Sequence, residues 1–238
     1  MDFEHGKGGC MLKVVNIITG YGKKQVLTDV SFEVVKGDMV LLTGGNGSGK
    51  STVLKTIYGL LKPWTQEGKI IFEENNITAL PVSAMIQLGI VYMPQKKNVF
   101  DDFTAEENLL TSANIYTTTD ARKRIKKVYE MLPLLETLRK RTPFHLSGGE
   151  KQILAFGNML VHSPKLALLD EPFAGVDMTH SEILKHCIFD LHNNGVTFII
   201  VEHKRKLMDD MVNKEIALEL GTVCNYQIND IKIFNETL

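Results

Sequence analysis

The residues GGNGSGKST, positions 44–52, follow the spacing G-x-x-x-x-G-K and then Ser or Thr, from Gly44 to Ser51. Glycines let successive backbone N–H groups turn inward onto phosphate oxygens, and a helix starting at the end of such a turn adds its partial positive charge. Lys50 would reach the β- and γ-phosphates of a nucleoside triphosphate, and the Ser51 hydroxyl would take one position on Mg2+. The competing reading is a glycine-rich turn with a chance lysine. An apolar strand before the motif and a helix after it argue against that. A second signal is LALLDEP, where four apolar residues run into Asp170 and Glu171. Asp170 would hold the metal from a neighbouring strand end, and Glu171 would polarise the attacking water as a general base. Alone, a strand ending in Asp-Glu is an ordinary solvated strand end; the phosphate turn gives it meaning. A third signal is LSGGEKQ at 146–152, with Ser147, Gly148, Gly149 and Glu150 where a helix should begin. It is an anion-receptive turn without its own lysine, and in isolation it would pass for a helix cap.

Composition leaves room for this chemistry. The chain has 238 residues, 44% hydrophobic and 23% charged, enough to bury one large α/β core. A net charge of −1 gives no global pull toward nucleic acid or anionic lipid, which argues against a polyanion binder. Cys10, Cys187 and Cys224 are far apart with no CxxC pair, so they read as reduced thiols and not as a zinc site. The first residues, MDFEHGKGG, lack the apolar stretch of a secretory signal. No run reaches the roughly 18 apolar residues of a membrane span, so a membrane role would come through a partner.

The elements that must position these residues follow from periodicity. MLKVVNIIT predicts a strand, and LTDVSFEVVKGDMVLLTG two strands around the turn Lys36-Gly37-Asp38. MVLLTG is apolar throughout, as expected of a strand buried on both faces of a parallel sheet. A helix is expected from Lys50 to Ile57, an edge strand with a turn over KIIFEENNI, and a strand over IVYMPQ ending at Pro94. From Thr104 to Arg141 the pattern is helical, with Ile125, Val128, Tyr129 and Leu132 on one face. KLALLD and VTFIIVEH predict two more buried strands, joined by a helix over THSEILKHCIFDLHNN. A final hairpin is expected around Gly221.

From about Leu12 to Tyr226 these motifs, in this order, resemble the ATP-binding-cassette (ABC) ATPases, the nucleotide-binding subunits of ABC transporters. The resemblance implies an α/β fold: a P-loop NTPase core with a parallel sheet, an N-terminal antiparallel β subdomain and a helical insertion at about 104–160. It would form one domain over 12–238 behind a polar leader, 1–11. It implies that ATP is held by Gly44, Gly45, Asn46, Gly47, Ser48, Gly49, Lys50, Ser51 and Thr52, with Tyr21 of GYGKKQVL stacked on adenine. Gln95 of YMPQ would face Mg2+ and the lytic water, making Ser51, Gln95 and Asp170 the metal set. His203 of VEHK would sense the γ-phosphate beside the base Glu171, and Asp177 would belong to the D-loop, FAGVD.

In the family the turn at 147–150 closes over ATP held on the phosphate loop of another subunit, which explains why one chain carries two anion-receptive turns. The implied partners are therefore a second cassette, identical or similar, and membrane-spanning permease subunits, with no nucleic acid. The implied location is the cytoplasm, on the inner face of the cell membrane. VFDDFTAEENLL and LDEPFAGVD look similar to cassettes of branched-chain amino acid importers, with lipopolysaccharide exporters and urea importers as rivals. A soluble ABC-type ATPase of an assembly pathway, such as iron–sulfur cluster biogenesis, would carry the same catalytic motifs. Two departures stand out: Gly45, where proline is frequent, and Asn158, where many relatives carry arginine. Phe100 and Phe103 fit either a binding groove or packing on the sheet. RKRIKK at 122–127 reads as the solvated face of a helix. The six histidines other than His203 follow no pattern.

Overall fold

The computed structural model describes residues 9–96, 98–203 and 205–228. Most of the expected leader, residues 1–8, lies outside this range. The chain begins with β1 (Cys10–Tyr21), β2 (Lys24–Val35) and β3 (Met39–Thr43), followed by α1 (Lys50–Ile57). Next come β4 (Lys69–Phe72), β5 (Asn75–Asn76), α2 (Val82–Leu88) and β6 (Ile90–Met93). Three helices then run together: α3 (Ala105–Ser112), α4 (Thr118–Met131) and α5 (Pro133–Leu138). Helix α6 (Gly148–Leu160), β7 (Leu166–Asp170), α7 (Met178–Asn193), β8 (Thr197–Val201), β9 (Lys214–Glu219) and β10 (Thr222–Ile228) complete it.

The strands form two sheets. One is antiparallel, in the order β2-β1-β4-β5; the other runs β10-β9-β3-β8-β7-β6 and is parallel except for its β9–β10 hairpin. The strands on either side of Lys36-Gly37-Asp38 are therefore not a hairpin, because β2 and β3 belong to different sheets. The segment KIIFEENNI holds β4, a turn and the short β5, and β5 is the edge of the antiparallel sheet.

Strands β7 and β8 are buried at every residue, and β3 at its first four. Their side chains still alternate between two faces, as the two-residue strand period requires. Met39, Leu41, Ala167, Leu169, Phe198 and Ile200 join one apolar cluster with α3–α7. Val40, Leu42, Leu166, Leu168, Ile199 and Val201 join another with the antiparallel sheet, α1 and α2. The result is three layers, with the mixed sheet in the middle. Gly157 brings α6 close to its neighbours: a Cβ there would lie 2.5 Å from Leu135 and 3.3 Å from Val128. Ile125, Val128 and Leu132 are buried as the helical period predicts.

This topology puts the chemistry at one edge. In register, Leu42 sits opposite Val201, and Val201 opposite Asp170. The carboxyl ends of β3, β8 and β7 therefore finish level, and the residues that follow them converge. Open α/β sheets bind their ligands there.

Candidate functional site

The phosphate turn folds as a loop because its backbone visits conformations closed to most side chains: φ is +137° at Gly44, +79° at Gly47 and +106° at Gly49. At Gly44 space is also short, since a Cβ would lie 2.1 Å from the Leu218 carbonyl oxygen. Gly45 is different: it has ordinary φ and nothing within 4 Å of a Cβ, so the backbone would accept another residue there. The turn feeds directly into α1, whose first residue is Lys50. The Lys50 side chain bends back, and its Nζ donates to the carbonyl oxygens of Gly44 at 2.8 Å and Gly45 at 3.0 Å. Burial pushes its pKa down, opposed by the nearby Glu171 and Asp170 carboxylates. The amine is held inside the loop, beside the N–H groups that would bind phosphate.

Asp170 ends β7 beneath the loop. Its Oδ1 accepts the Ser51 hydroxyl at 2.9 Å and its Oδ2 the Tyr92 hydroxyl at 3.1 Å. Burial raises its pKa, and the two hydroxyl donors partly offset this. Glu171 leaves the strand in the left-handed region, at φ +52°, while its N–H still bonds Val201 O at 2.8 Å. Such backbone strain is characteristic of functional sites, and here it swings adjacent carboxylates to different places. One Glu171 oxygen accepts from the Gln95 amide; the other lies 3.3 Å from His203 Nε2. His203, just past β8, has its N–H fixed by Glu202 at 2.7 Å.

A cleft of about 500 Å³ opens over this arrangement. Asn46, Gly47, Gly49, Lys50, Ser51, Thr52, Glu171 and His203 line it together with Tyr21, Lys24, Gln25, Val26 and Leu220. Gly44, Gly45 and Ser48 belong to the loop but do not line the cleft. Tyr21 is 46% exposed, with Lys55 Nζ 3.3 Å from its hydroxyl. The Gln95 amide donates to Glu171, the residue expected to polarise the lytic water. Ser51 and Asp170 offer two hard oxygen donors on adjacent element ends. That donor set fits Mg2+, which keeps most of its shell for water and phosphate oxygens.

The turn at 147–150 is not part of the cleft. Ser147 caps α6 through a capping box: its hydroxyl accepts the Glu150 N–H at 3.2 Å, and Glu150 accepts the Ser147 N–H at 2.7 Å. Ser147 and Gly148 are exposed, and neither lines the cleft over their own chain's phosphate loop. Asp177 caps α7 and hydrogen-bonds His180, also outside the cleft. Two histidines that showed no pattern in sequence have defined surroundings. His180 packs on Gly149. His162 is held by the Tyr116 hydroxyl at 3.2 Å, and its pKa falls to about 4 through burial and the neighbouring Arg124. Arg124 turns inward from the basic run, donating to Val161 O at 2.9 Å and stacking on Tyr116, so that face is not wholly solvated. Asn158 donates weakly to Asn98 O at 3.4 Å, while its buried Oδ1 has no hydrogen-bond partner among the described residues and lies beside a small cavity. Phe100 and Phe103 are both exposed and pack on each other, with ring centres 5.5 Å apart.

Comparison with known proteins points to one family. Residues 27–174 match the family model described as ABC transporter. The chain is 36% identical over 213 residues to the high-affinity branched-chain amino acid transport ATP-binding protein BraG of Pseudomonas aeruginosa, covering 90% of this chain and 91% of that protein. It is 32% identical to the lipopolysaccharide export system ATP-binding protein LptB of Haemophilus influenzae, over 90% of this chain and 88% of that one. Among solved structures it resembles an ATP-binding cassette in a dimeric, post-hydrolysis state bound to ADP and Pi, with a TM-score of 0.81 and 26% identity, over 92% of this chain and 99% of that chain.

Proposed function

The chain belongs to the ABC transporter family as an ATP-binding, ATP-hydrolysing subunit, and from that premise we propose how its residues share the work and what they power. The observation that carries the reading is the Lys50–Ser51 turn, with Asp170 bound to Ser51 at 2.9 Å and Glu171 facing the same cleft. The Gly47 and Gly49 region and Lys50 hold the β- and γ-phosphates, while Tyr21 takes the adenine. Ser51 and Asp170 would hold Mg2+, which would neutralise charge on the phosphate oxygens. Glu171 accepts a proton from water as the water oxygen attacks the γ-phosphorus and the bond to the ADP oxygen breaks. Both Glu171 oxygens are engaged, by Gln95 and His203, so the base is oriented before water arrives. His203 then donates to the γ-phosphate.

The turn at Ser147–Glu150, exposed at Ser147 and Gly148, grips the γ-phosphate of a second cassette, so two chains facing head to tail complete two sites. Closure uses differential contact: ATP reaches both turns and ADP reaches one. Among the described residues no helix is long and apolar enough to cross a membrane. Permease subunits supply the membrane path, and the cassette works on its inner face. We infer branched-chain amino acid import as the transported task, supported by the name of the relative at 36% identity.

Dilution tests the split site: hydrolysis per chain should fall as dimers dissociate. A Lys50→Ala chain and a Ser147→Arg chain, each inactive, should regain hydrolysis when mixed, since one intact composite site forms. A rate independent of dilution, with no recovery on mixing, would reject it. Loss of leucine, isoleucine and valine uptake on deletion of the chain tests the transported class.

A further inference from the structure

Leu220 is 88% exposed, and its left-handed backbone is unusual for a leucine. Thr222 pairs with Glu219, so Leu220 and Gly221 form a two-residue hairpin turn, with φ of +47° and +80°. Both central residues of such a turn must be left-handed, which favours Asn-Gly or Gly-Gly. The other described non-glycine residues with positive φ are polar: Asn16, Asp29, Glu73, Glu74, Ser163 and Glu171. A bulky apolar side chain in this region is an outlier, and the packing of its own chain does not account for it.

The hairpin is fixed to the nucleotide site. The Gly221 N–H donates to Ser48 O at 3.1 Å, and the Thr28 N–H donates to Gly221 O at 2.7 Å. A Cβ on Gly221 would lie 2.0 Å from Val26 O, so the turn presses directly on β2. Leu220 therefore stands at a set distance from the phosphate loop and lines the same cleft as Tyr21, Val26 and Asn46. A ligand held by its phosphates at Lys50 and Ser51 would lie in the cleft that Leu220 lines.

We propose that Leu220 is a base-contacting residue, closing with Tyr21 and Val26 an apolar slot for the nucleotide's purine ring. This rests on the nucleotide reading above and adds to it a contact from the β9–β10 hairpin. Water leaves the exposed leucine only when the base arrives, so the gain appears in binding and not in folding.

Leu220→Asn separates the two roles, because Asn-Gly suits the turn better. Its thermal midpoint should equal or exceed that of wild type. Affinity for ATP, measured by calorimetry at concentrations where the chain is monomeric, should fall about 3- to 10-fold, as expected for loss of one apolar contact. Affinity for inorganic tripolyphosphate, which has no base, should be unchanged, and Leu220→Met should restore ATP binding. Unchanged ATP affinity would overturn the proposal, as would an equal loss for ATP and tripolyphosphate, or a defect confined to dimerisation. A wild-type chain that bound neither ligand would overturn the nucleotide reading itself.

Discussion

Gly149 and His180 touch so closely that a Cβ on Gly149 would lie 2.7 Å from both Cγ and Nδ1 of the imidazole. The ring is held in turn by Asp177, whose carboxylate also accepts the His180 N–H at 3.1 Å. One imidazole thus joins the start of α6 to the start of α7. Gly149→Ala should force these apart and cost about 1–3 kcal/mol, the usual range for overpacking. His180→Ala, added to it, should recover part of that loss, with a coupling of about 1 kcal/mol in a double-mutant cycle of thermal midpoints. Purely additive losses would mean the contact carries no strain.

Glu171 is the group placed to take the proton from water. Glu171→Gln keeps the side chain's size and removes that capacity, so hydrolysis should fall about 10²- to 10⁴-fold while ATP binding persists. With hydrolysis blocked, the ATP-bound dimer should accumulate in size-exclusion chromatography. Phosphate release at the wild-type rate would place the base elsewhere.

Asp170 is kept buried at the expense of the chain's own stability. Its folded pKa is raised above the ordinary 3.8 by burial, so the native state binds its proton more tightly than the unfolded state does. Stability from this group is therefore present at low pH and declines as pH rises through the folded value. Without Mg2+, Asp170→Asn should melt at or above the wild-type temperature at pH 7.5, and the difference should narrow toward pH 4. The same variant should lose Mg2+-dependent hydrolysis. A large drop in its melting temperature at neutral pH would contradict this account.

His162 works in the opposite sense. Burial first, and Arg124 second, lower its pKa from 6.5 to about 4, so between those values the unfolded chain binds the extra proton. Stability is full above pH 6.5 and falls as pH drops toward 4. His162→Gln should flatten that part of a stability-against-pH curve, measured by denaturant unfolding at several pH values. An unchanged slope would assign the acid sensitivity to other groups.

Much of the site was legible in the sequence because it is local. The run from Gly44 to Thr52 carries its own turn, helix start and lysine, and LALLD carries its own strand end. α1 begins and ends where its periodicity predicts, at Lys50 and Ile57. What stayed hidden depends on partners distant in sequence. The roles of His180 and Leu220 exist only once α7 lies against α6 and the last hairpin reaches the phosphate loop. The motif of Gln95 does not show that its amide meets Glu171, 76 positions away. Helix α2 went unseen because it has seven residues and buries only Met85, too little for an amphipathic period to register. β3, β7 and β8 are so uniformly apolar that nothing in their sequence says which residues face which layer.

The apolar cluster that unites α3–α7 with one face of the central sheet has a practical consequence for engineering. Helices 104–160 hold no hydrophobic interior separate from Leu41, Leu169 and Phe198, so excising them would leave a sticky slab and not a smaller working motor. Grafting this segment onto another cassette would succeed only where the recipient's strands offered matching side chains. Swaps at the sheet surface and at the helices would have to be made together.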